Sequence, residues 1–315
     1  MINIKKKYIF NIFINFFFIF VYASDKVLII THQYNCPDFI KIQHATFKEF
    51  LSDDYEYVVF NDAPTEKMAH KIENTCINLG IHCIRVPQEI HTRPYLSRNP
   101  NDPLQRPNIR HANCVQYSLD ILGFNHKGIV LVLDSDIFPI RPFHISNYMH
   151  GKDIAAFIKR APNNVFCLCP VLCFLNMNNL PDKKSLNFNC GIVNESVTDS
   201  GGFTYYYLIE HPTLVVENIN VLYSHQLFLG DRGINREADD IKYVPNAVKS
   251  AFYTNLGFNK KEIDFLLKKP DTFEFYLNNH FLHFREGTNY SSASNNFINY
   301  KTQIFNEFIN SIVQP

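Results

Sequence analysis

The stretch Val130–Ile140, VLVLDSDIFPI, decides the fold. An apolar run rich in Val and Leu leads into Asp134-Ser135-Asp136, and apolar residues resume directly afterwards. Such a run is too short for an ordinary helix and is typical of a buried strand in a parallel sheet. Alternation along a strand predicts that Asp134 and Asp136 share one side. Because open α/β sheets bind ligands at the carboxyl ends of their strands, the two carboxylates are a candidate site for a hard divalent cation.

A solvated turn is the alternative for Asp134-Ser135-Asp136, because Asp and Ser both favour turns. The sequence pattern before this stretch favours the metal site over the solvated turn. Strand-like runs alternate with helical spacing in the order Lys26–Thr31, Asp38–Leu51, Tyr55–Phe60, Thr65–Leu79 and Ile81–Val86. This alternation predicts an α/β fold with a mixed, mainly parallel central sheet flanked by helices.

The remaining pattern is consistent with one mixed domain, and it contains no repeat. Proline density predicts an irregular loop over His91–Asn108, whose arginines either face a substrate phosphate or are solvated. Phe188–Asn194 is a short apolar segment around a glycine. Further strands are predicted at Ile154–Ile158, Val165–Phe174, Phe273–Leu277 and Phe281–Phe284, and helices at Arg110–Leu122, Lys261–Leu267 and Phe297–Ile312.

Composition narrows the class of protein. The chain has 315 residues, 46% hydrophobic and 19% charged, which indicates a folded core rather than disorder. The formal net charge is +0, with 30 basic and 30 acidic residues. No concentrated positive face is expected, so the composition argues against a nucleic-acid partner.

The N-terminus has the pattern of a secretory signal. Lys5, Lys6 and Lys7 precede the mostly apolar Tyr8–Tyr22, and Val21 and Ala23 supply small residues for cleavage. We expect residues 1–23 to be removed and residues 24–315 to form the domain of an exported or secretory-pathway protein. A type II membrane anchor is the alternative, and membrane contact is expected only if the segment is uncleaved.

The eight cysteines allow several interpretations. One or two disulfides are favoured in an exported chain, and Cys76 and Cys83 are close enough to link a helix end to the next strand. The spacing of Cys167, Cys169 and Cys173 is unusual for zinc. Several of the cysteines are equally explained as small buried hydrophobes.

A second chemical element is Leu282-His283-Phe284-Arg285-Glu286-Gly287. A histidine between apolar residues, followed by a glycine turn, can bring an imidazole to a buried site. Imidazole and two carboxylates suit Mn²⁺, with ligand oxygens and water completing its shell. A hydrogen-bonded structural histidine is the alternative.

Together these motifs resemble a GT-A glycosyltransferase. The first βαβ half, the Asp-x-Asp, the Phe-Asn-x-Gly at Phe188–Gly191 and the late His-Phe-x-x-Gly are most similar to family 8 over Lys26–Asn289. The Lys-Pro-Trp that usually follows this histidine is missing, Thr288-Asn289-Tyr290 stands instead, and Arg285 is the candidate substitute for the lysine. The resemblance implies a nucleotide-diphosphate sugar donor, a UDP-sugar in the first instance, and a glycan, protein or lipid acceptor.

The resemblance also implies roles for individual residues. Asp134, Asp136 and His283 would hold Mn²⁺ or Mg²⁺, and Gln226 and Asp231 would lie near the reacting sugar. The implied donor-binding residues are Thr31, Asn61, Asp62, Asp134, Ser135, Asn189, Gly191, Arg285 and Gly287.

Two other functions stay open on sequence alone. A sugar nucleotidyltransferase shares the fold class, but the segment after the first strand, Thr31–Asn35, lacks the glycine-rich loop such enzymes often carry. An exported carbohydrate-binding or surface protein would use Asp134 and Asp136 to hold a structural Ca²⁺.

Overall fold

The described part of the chain covers most of the expected domain. The computed structural model describes residues 26–92, 106–223, 245–267, 273–277, 279–284, 303, 305–310 and 312–313. The predicted signal segment lies outside these residues. Within them, no helix combines the length and the apolar character needed to cross a membrane.

Among the described residues, the strands form two larger sheets and one two-stranded hairpin. In chain order they are β1 (Val27–Gln33), β2 (Tyr55–Asn61), β3 (His82–Arg85), β4 (Ile129–Asp134), β5 (Ile137–Pro139), β6 (Ile154–Ala161), β7 (Val165–Asn176), β8 (Ile192–Val193), β9 (Ser196–Val197), β10 (Val216–Asn218), β11 (Val221–Tyr223), β12 (Phe273–Tyr276) and β13 (Phe281–Phe284).

Helices lie between several of these strands, and further helical residues occur at 303, 305–310 and 312–313. The other helices are α1 (Pro37–Phe50), α2 (Glu66–Leu79), α3 (Arg106–Ile121), α4 (Ile145–Tyr148), α5 (Thr204–Glu210), α6 (Asn246–Asn255) and α7 (Lys260–Leu266). Individual residues determine where some of these helices begin and end. Pro37 begins α1, Thr65 caps α2 by accepting from the Met68 N–H, and Gly80 ends α2 in the left-handed conformation.

The central sheet is mixed and mainly parallel, as predicted. Its seven strands have the order β10-β6-β7-β4-β1-β2-β3. Only β7 is antiparallel to its neighbours. The chain builds β1, β2 and β3 outward in one direction, then crosses to place β4 on the other side of β1. This reversal between β1 and β4 is a topological switch point, where open α/β sheets bind ligands.

Strand alternation gives the central sheet two apolar faces. Leu131 and Leu133 belong to the core beneath α1 and α2, while Val130 and Val132 belong to the core beneath α3. Helices cover both faces of the sheet at β4, so nearly every side chain of this strand is buried. This explains why its sequence is apolar throughout rather than alternating.

A second sheet joins the C-terminal part of the chain to the middle. It has the order β11-β12-β13-β5, so β5 pairs with a strand about 140 residues later. Its core is aromatic: Phe39 of α1 makes edge contacts with Phe138, Phe284 and Phe305. This packing fixes the last strands against α1.

The structure corrects the prediction of one strand over Val130–Ile140. The stretch is two strands, β4 and β5, which lie in different sheets and are separated by a turn at Ser135 and Asp136. Strand alternation therefore does not apply to Asp136, because a turn redirects its side chain.

Two other boundaries also differ from the prediction. Helix α3 begins at Arg106, inside the predicted proline loop, because proline is tolerated in a first turn. In the Phe188–Asn194 segment only Ile192 and Val193 form a strand.

Gly201 offers a test of the packing. It has φ +89°, and an added Cβ would lie 1.9 Å from the Leu168 carbonyl oxygen. Gly151 has a similar φ of +73°, but nothing lies within 4 Å of its Cβ position. Gly151→Ala should cost about 1–2 kcal/mol from backbone strain. Gly201→Ala should cost about 2 kcal/mol more, because the Leu168 backbone must move. Urea unfolding measures both, and equal losses would contradict the close approach.

Candidate active site

Buried polar atoms without partners cluster at the switch point. Register places His32 of β1 beside Asp134 of β4, and Gln33 beside Asn61 of β2. Among the described residues, Thr31 Oγ1, His32 Nδ1 and both amide atoms of Gln33 have no hydrogen-bond partner. Buried polar groups are rarely unpaired. Their concentration at the carboxyl ends of the strands indicates a site where a polar ligand or water supplies the missing hydrogen bonds.

The Asp-Ser-Asp turn is held from behind by Gln43 of α1. The Gln43 amide donates to the carbonyl oxygens of Asp134 and Ile137, both at 2.9 Å. The Tyr57 hydroxyl donates to the Gln43 side-chain oxygen at 2.7 Å. All polar atoms of the Gln43 amide are thereby used, so its side chain fixes the backbone on both sides of Ser135 and Asp136.

Sheet pairing brings His283 to Asp136. In the β5–β13 ladder His283 pairs with Ile137, and the Phe284 N–H donates to the Asp136 carbonyl at 2.8 Å. Nε2 of His283 lies 3.4 Å from Oδ1 of Asp136, and the two side chains are 13% and 6% exposed. The predicted proximity of these two residues is therefore present in the structure, and β13 is its cause.

Asp134 meets a different histidine. Nε2 of His111, in α3, lies 2.9 Å from Asp134 Oδ1, although the atoms are not aligned as a hydrogen bond. Burial disfavours the Asp134 carboxylate, but the charges of His111 and His283 outweigh it and lower its pKa to about 2. Burial also opposes a charged His111, yet Asp134 and Asp199 raise its pKa above the ordinary value.

The two carboxylates therefore form two pairs, Asp136 with His283 and Asp134 with His111. Within the described ranges, no three His, Cys, Asp or Glu side chains are placed to enclose a metal ion. Asp136 and His283 offer an oxygen and a nitrogen side by side, which fits two positions of a Mn²⁺ shell. The described residues leave the other positions to a ligand or water.

The imidazole of His32 offers a hydrogen-bond acceptor at the same end of the sheet. Its Nε2 lies 2.9 Å from the Ser118 hydroxyl, and that hydroxyl donates to the Val115 carbonyl at 2.7 Å. A hydroxyl has one proton, so Nε2 of His32 must be the donor. Burial and the neighbouring His111 lower the pKa of His32 to about 3, so the ring is neutral and Nδ1 carries a free lone pair.

Asp62, which follows β2, has its carboxylate occupied by Arg110 and His91. Arg110 of α3 donates to both carboxylate oxygens at 2.7 Å, and His91 Nε2 lies 2.8 Å from Oδ1. The guanidinium also lies under the ring of Tyr34, 5.0 Å from its centroid. Asp62 thus fixes the Arg110 guanidinium, and the guanidinium packs against the partly exposed ring of Tyr34 at the carboxyl end of β1.

Thr31 and Asn61 lie on the opposite face of the sheet from His32 and Asp62. Asn61 donates to the Ala69 carbonyl at 2.9 Å and accepts from the Ala63 N–H at 3.2 Å. These bonds give Asn61 a structural role at the start of α2. Thr31 is fully buried, and its hydroxyl is among the unpartnered atoms of this edge.

The Asn189–Gly191 segment lies against α3 beside His111. Cys190 packs on Ile109 and Ala112, while Gly191 exchanges hydrogen bonds with Thr198. The adjoining Asp199 binds the Lys159 ammonium at 2.7 Å. The structure thus brings this predicted segment to the helix that carries Arg110 and His111.

Four predicted residues cannot be placed: Gln226, Asp231, Arg285 and Gly287 lie outside the described residues. Several neighbours of the site were not singled out from the sequence: Tyr34, Gln43, Arg110, His111, Lys159 and Asp199. The one available signal was Arg110-His111, a charged pair at the start of the helix that precedes the Asp-Ser-Asp strand.

Comparison with known proteins gives structural likeness alone. No protein-family model matches the sequence, and no curated protein does. Core-mannan synthase A from Aspergillus fumigatus, in a Mn/GDP form, is 8% identical, with a TM-score of 0.35 over 51% of this chain and 62% of that one.

Glucosyl-3-phosphoglycerate synthase from Mycobacterium tuberculosis, in complex with Mg²⁺ and UDP, is 11% identical, with a TM-score of 0.38 over 62% of this chain and 69% of that one. The mannosyltransferase Ktr4p from S. cerevisiae is 12% identical, with a TM-score of 0.28 over 42% of this chain and 39% of that one. The chain therefore spans less than two thirds of the length of the mannan synthase and of Ktr4p.

Gln43 offers a test of how the turn is held. Gln43→Met keeps the volume but leaves the Asp134 and Ile137 carbonyls without their donor. We expect a loss of about 2–4 kcal/mol in unfolding free energy, because each buried unsatisfied group costs about 1–3 kcal/mol. Tyr57→Phe is the matched control: it removes one bond to Gln43 but keeps both donors to the turn. Denaturant unfolding should show a smaller loss, about 1 kcal/mol, and the reverse order would contradict the clamp.

Proposed function

We propose that this protein is a GT-A type, metal-dependent glycosyltransferase. It moves a sugar from a nucleotide-diphosphate donor, most simply a UDP-sugar, to the hydroxyl of a glycan, protein or lipid. We further propose that it works in the secretory pathway or after export, on the strength of its N-terminal pattern. The acceptor class stays open.

One observation carries the proposal: Asp136 and His283 meet at the switch point, beside unpartnered buried polar atoms. The two residues are far apart in sequence, and a dedicated strand pair brings them together. A solvated turn, the main alternative for the Asp-Ser-Asp stretch, does not account for side chains only 6% and 13% exposed. Buried charges are costly unless they are paired or bind a metal.

We assign Asp136 and His283 as the protein ligands of Mn²⁺ or Mg²⁺. Asp134 is assigned to the donor's ribose, since its carboxylate faces His111 rather than joining a third ligand position. When bound, the divalent ion would neutralise charge on the diphosphate and on the departing nucleotide. Gln43 fixes the backbone on both sides of the turn that carries Asp136, so little reorganisation of that backbone would be needed during transfer.

The remaining residues at the carboxyl ends of the strands would position the other parts of the donor. Tyr34, supported by Arg110, offers a face for the nucleobase. His32 offers an acceptor to a hydroxyl through Nδ1. On the far side, Asn189 and Gly191, with the Lys159–Asp199 pair nearby, form the side on which the sugar would lie. Gln226 and Asp231 remain the proposed groups near the reacting carbon.

Metal-dependent nucleotide binding tests the proposal. Wild-type protein should bind UDP, or GDP in a second titration, when Mn²⁺ is present, and excess EDTA should abolish this. Asp136→Asn should weaken the Mn²⁺-dependent binding by roughly 100-fold or more, since even residues behind metal ligands contribute 10–100-fold. Calorimetry gives the affinities, and a UDP-sugar and GDP-sugar hydrolysis panel identifies the donor.

Asp54→Asn is the matched control. Its carboxylate is 74% exposed and lies just before β2, at the amino ends of the strands and far from the site at their carboxyl ends, so binding should be unchanged. Nucleotide affinity or sugar transfer that survives EDTA would overturn the proposal. Binding of free sugars with Ca²⁺, and of no nucleotide, would indicate a carbohydrate-binding protein instead.

The aromatic platform gives an independent test. Tyr34→Ala should weaken UDP binding by roughly 10-fold, because stacking of a base on an aromatic side chain contributes about 1–3 kcal/mol. Tyr34→Phe keeps the ring and should bind like the wild type. Equal affinity of all three proteins would place the base elsewhere while leaving the metal assignment intact.

A further inference from the structure

Two cysteines face each other at the outer edge of the central sheet. Cys76 lies in the last turn of α2, and Cys83 lies in β3, the edge strand, paired with Val59. The chain reverses between them at Gly80, and the Ile81 N–H donates to the Cys76 carbonyl at 2.9 Å. Cys83 packs against the core cluster that contains Cys76 and Val59, so both thiols lie on the face of the sheet that α2 covers.

The pair is chemically asymmetric. Cys76 is fully buried, whereas Cys83 is half-buried and can be reached from solvent. Contact with Cys83, together with burial, raises the pKa of Cys76. Contact with Cys76 lowers the pKa of Cys83, and the nearby Arg85 acts in the same direction. The half-buried Cys83 thiol is therefore the better nucleophile, and the fully buried Cys76 thiol is its resolving partner.

We propose that Cys76 and Cys83 form a disulfide by exchange with an external disulfide, such as oxidised glutathione or a dithiol oxidoreductase. The Cys83 thiolate attacks one external sulfur, forms a mixed disulfide and releases the other sulfur as a thiolate. The Cys76 sulfur, losing its proton, then attacks Cys83 Sγ and releases the second external thiolate. The two protein thiols are oxidised, and the external disulfide is reduced to two thiols.

The bond would stiffen a part of the molecule that reaches the candidate site. Arg85, two residues after Cys83, donates to the Asn61 and Ala63 carbonyls at 2.8 and 2.9 Å. These carbonyls flank Asp62, which fixes Arg110. A link between α2 and β3 therefore secures the edge strand that frames the Asp62 loop, independently of whether the protein transfers sugars.

Differential alkylation of the full chain tests the pair. The wild-type protein is equilibrated with oxidised and reduced glutathione, then denatured and alkylated. It is next reduced, alkylated with a second reagent and mapped by peptide mass spectrometry. We expect Cys76 and Cys83 to carry the second reagent and to appear in one linked peptide before reduction. The buried Cys114 and Cys173 should carry the first reagent.

Stability gives a second readout. A reductant should lower the melting temperature of the wild type by roughly 5 °C, as expected for closing a short loop. Cys76→Ser should lose this redox dependence, and Cys173→Ser should keep it. Labelling of Cys76 and Cys83 by the first reagent to the same extent as Cys114 would overturn the proposal, as would linkage of either residue to another cysteine. The wild-type map decides even if a variant fails to fold.

Discussion

The pairing of β5 with β13 is the interaction on which the candidate site depends. The turn after β4 carries the chain out of the central sheet and into the second one. Asp134 therefore belongs to one sheet and Asp136 to the boundary of the other. Because β13 completes the second sheet, a backbone ladder rather than a flexible loop positions His283. The aromatic core behind β13 in turn holds that ladder against α1.

Charge pairing is the second constraint on this edge. Asp62 is held by Arg110, Asp134 faces His111, and Asp136 faces His283. A buried carboxylate needs such a partner, because burial without one is strongly unfavourable. Basic side chains from α3 and β13 therefore surround three carboxylates at the ends of β2 and β4. When both histidines are protonated, the three basic side chains offset the three carboxylates at this end of the sheet.

The sequence predicted the parts of this arrangement that local patterns encode. Apolar runs and helical spacing predict the parallel half of the sheet, and the Asp-x-Asp with His283 predicts the contact between Asp136 and His283 at the centre of the candidate site. Partners such as Gln43, His111 and Arg110 were missed, because a buried polar contact between distant segments leaves no periodic signal. The sequence pattern predicts one continuous strand through Asp136 for a related reason. The apolar residues after Asp136 belong to the second sheet, and apolar character alone does not show that the chain passes from one sheet to the other.

The late position of β13 has a consequence for synthesis of the chain. The parallel strands β1 to β4 and their helices can begin to fold once Asp134 has left the ribosome. His283 follows about 150 residues later, so roughly 10–30 s pass at ordinary elongation rates before both halves of the proposed metal site exist. For the proposed glycosyltransferase, a nascent or prematurely ended chain would carry the ends of β1, β2 and β4 without His283, and metal-dependent donor binding would begin only when the whole domain had been made.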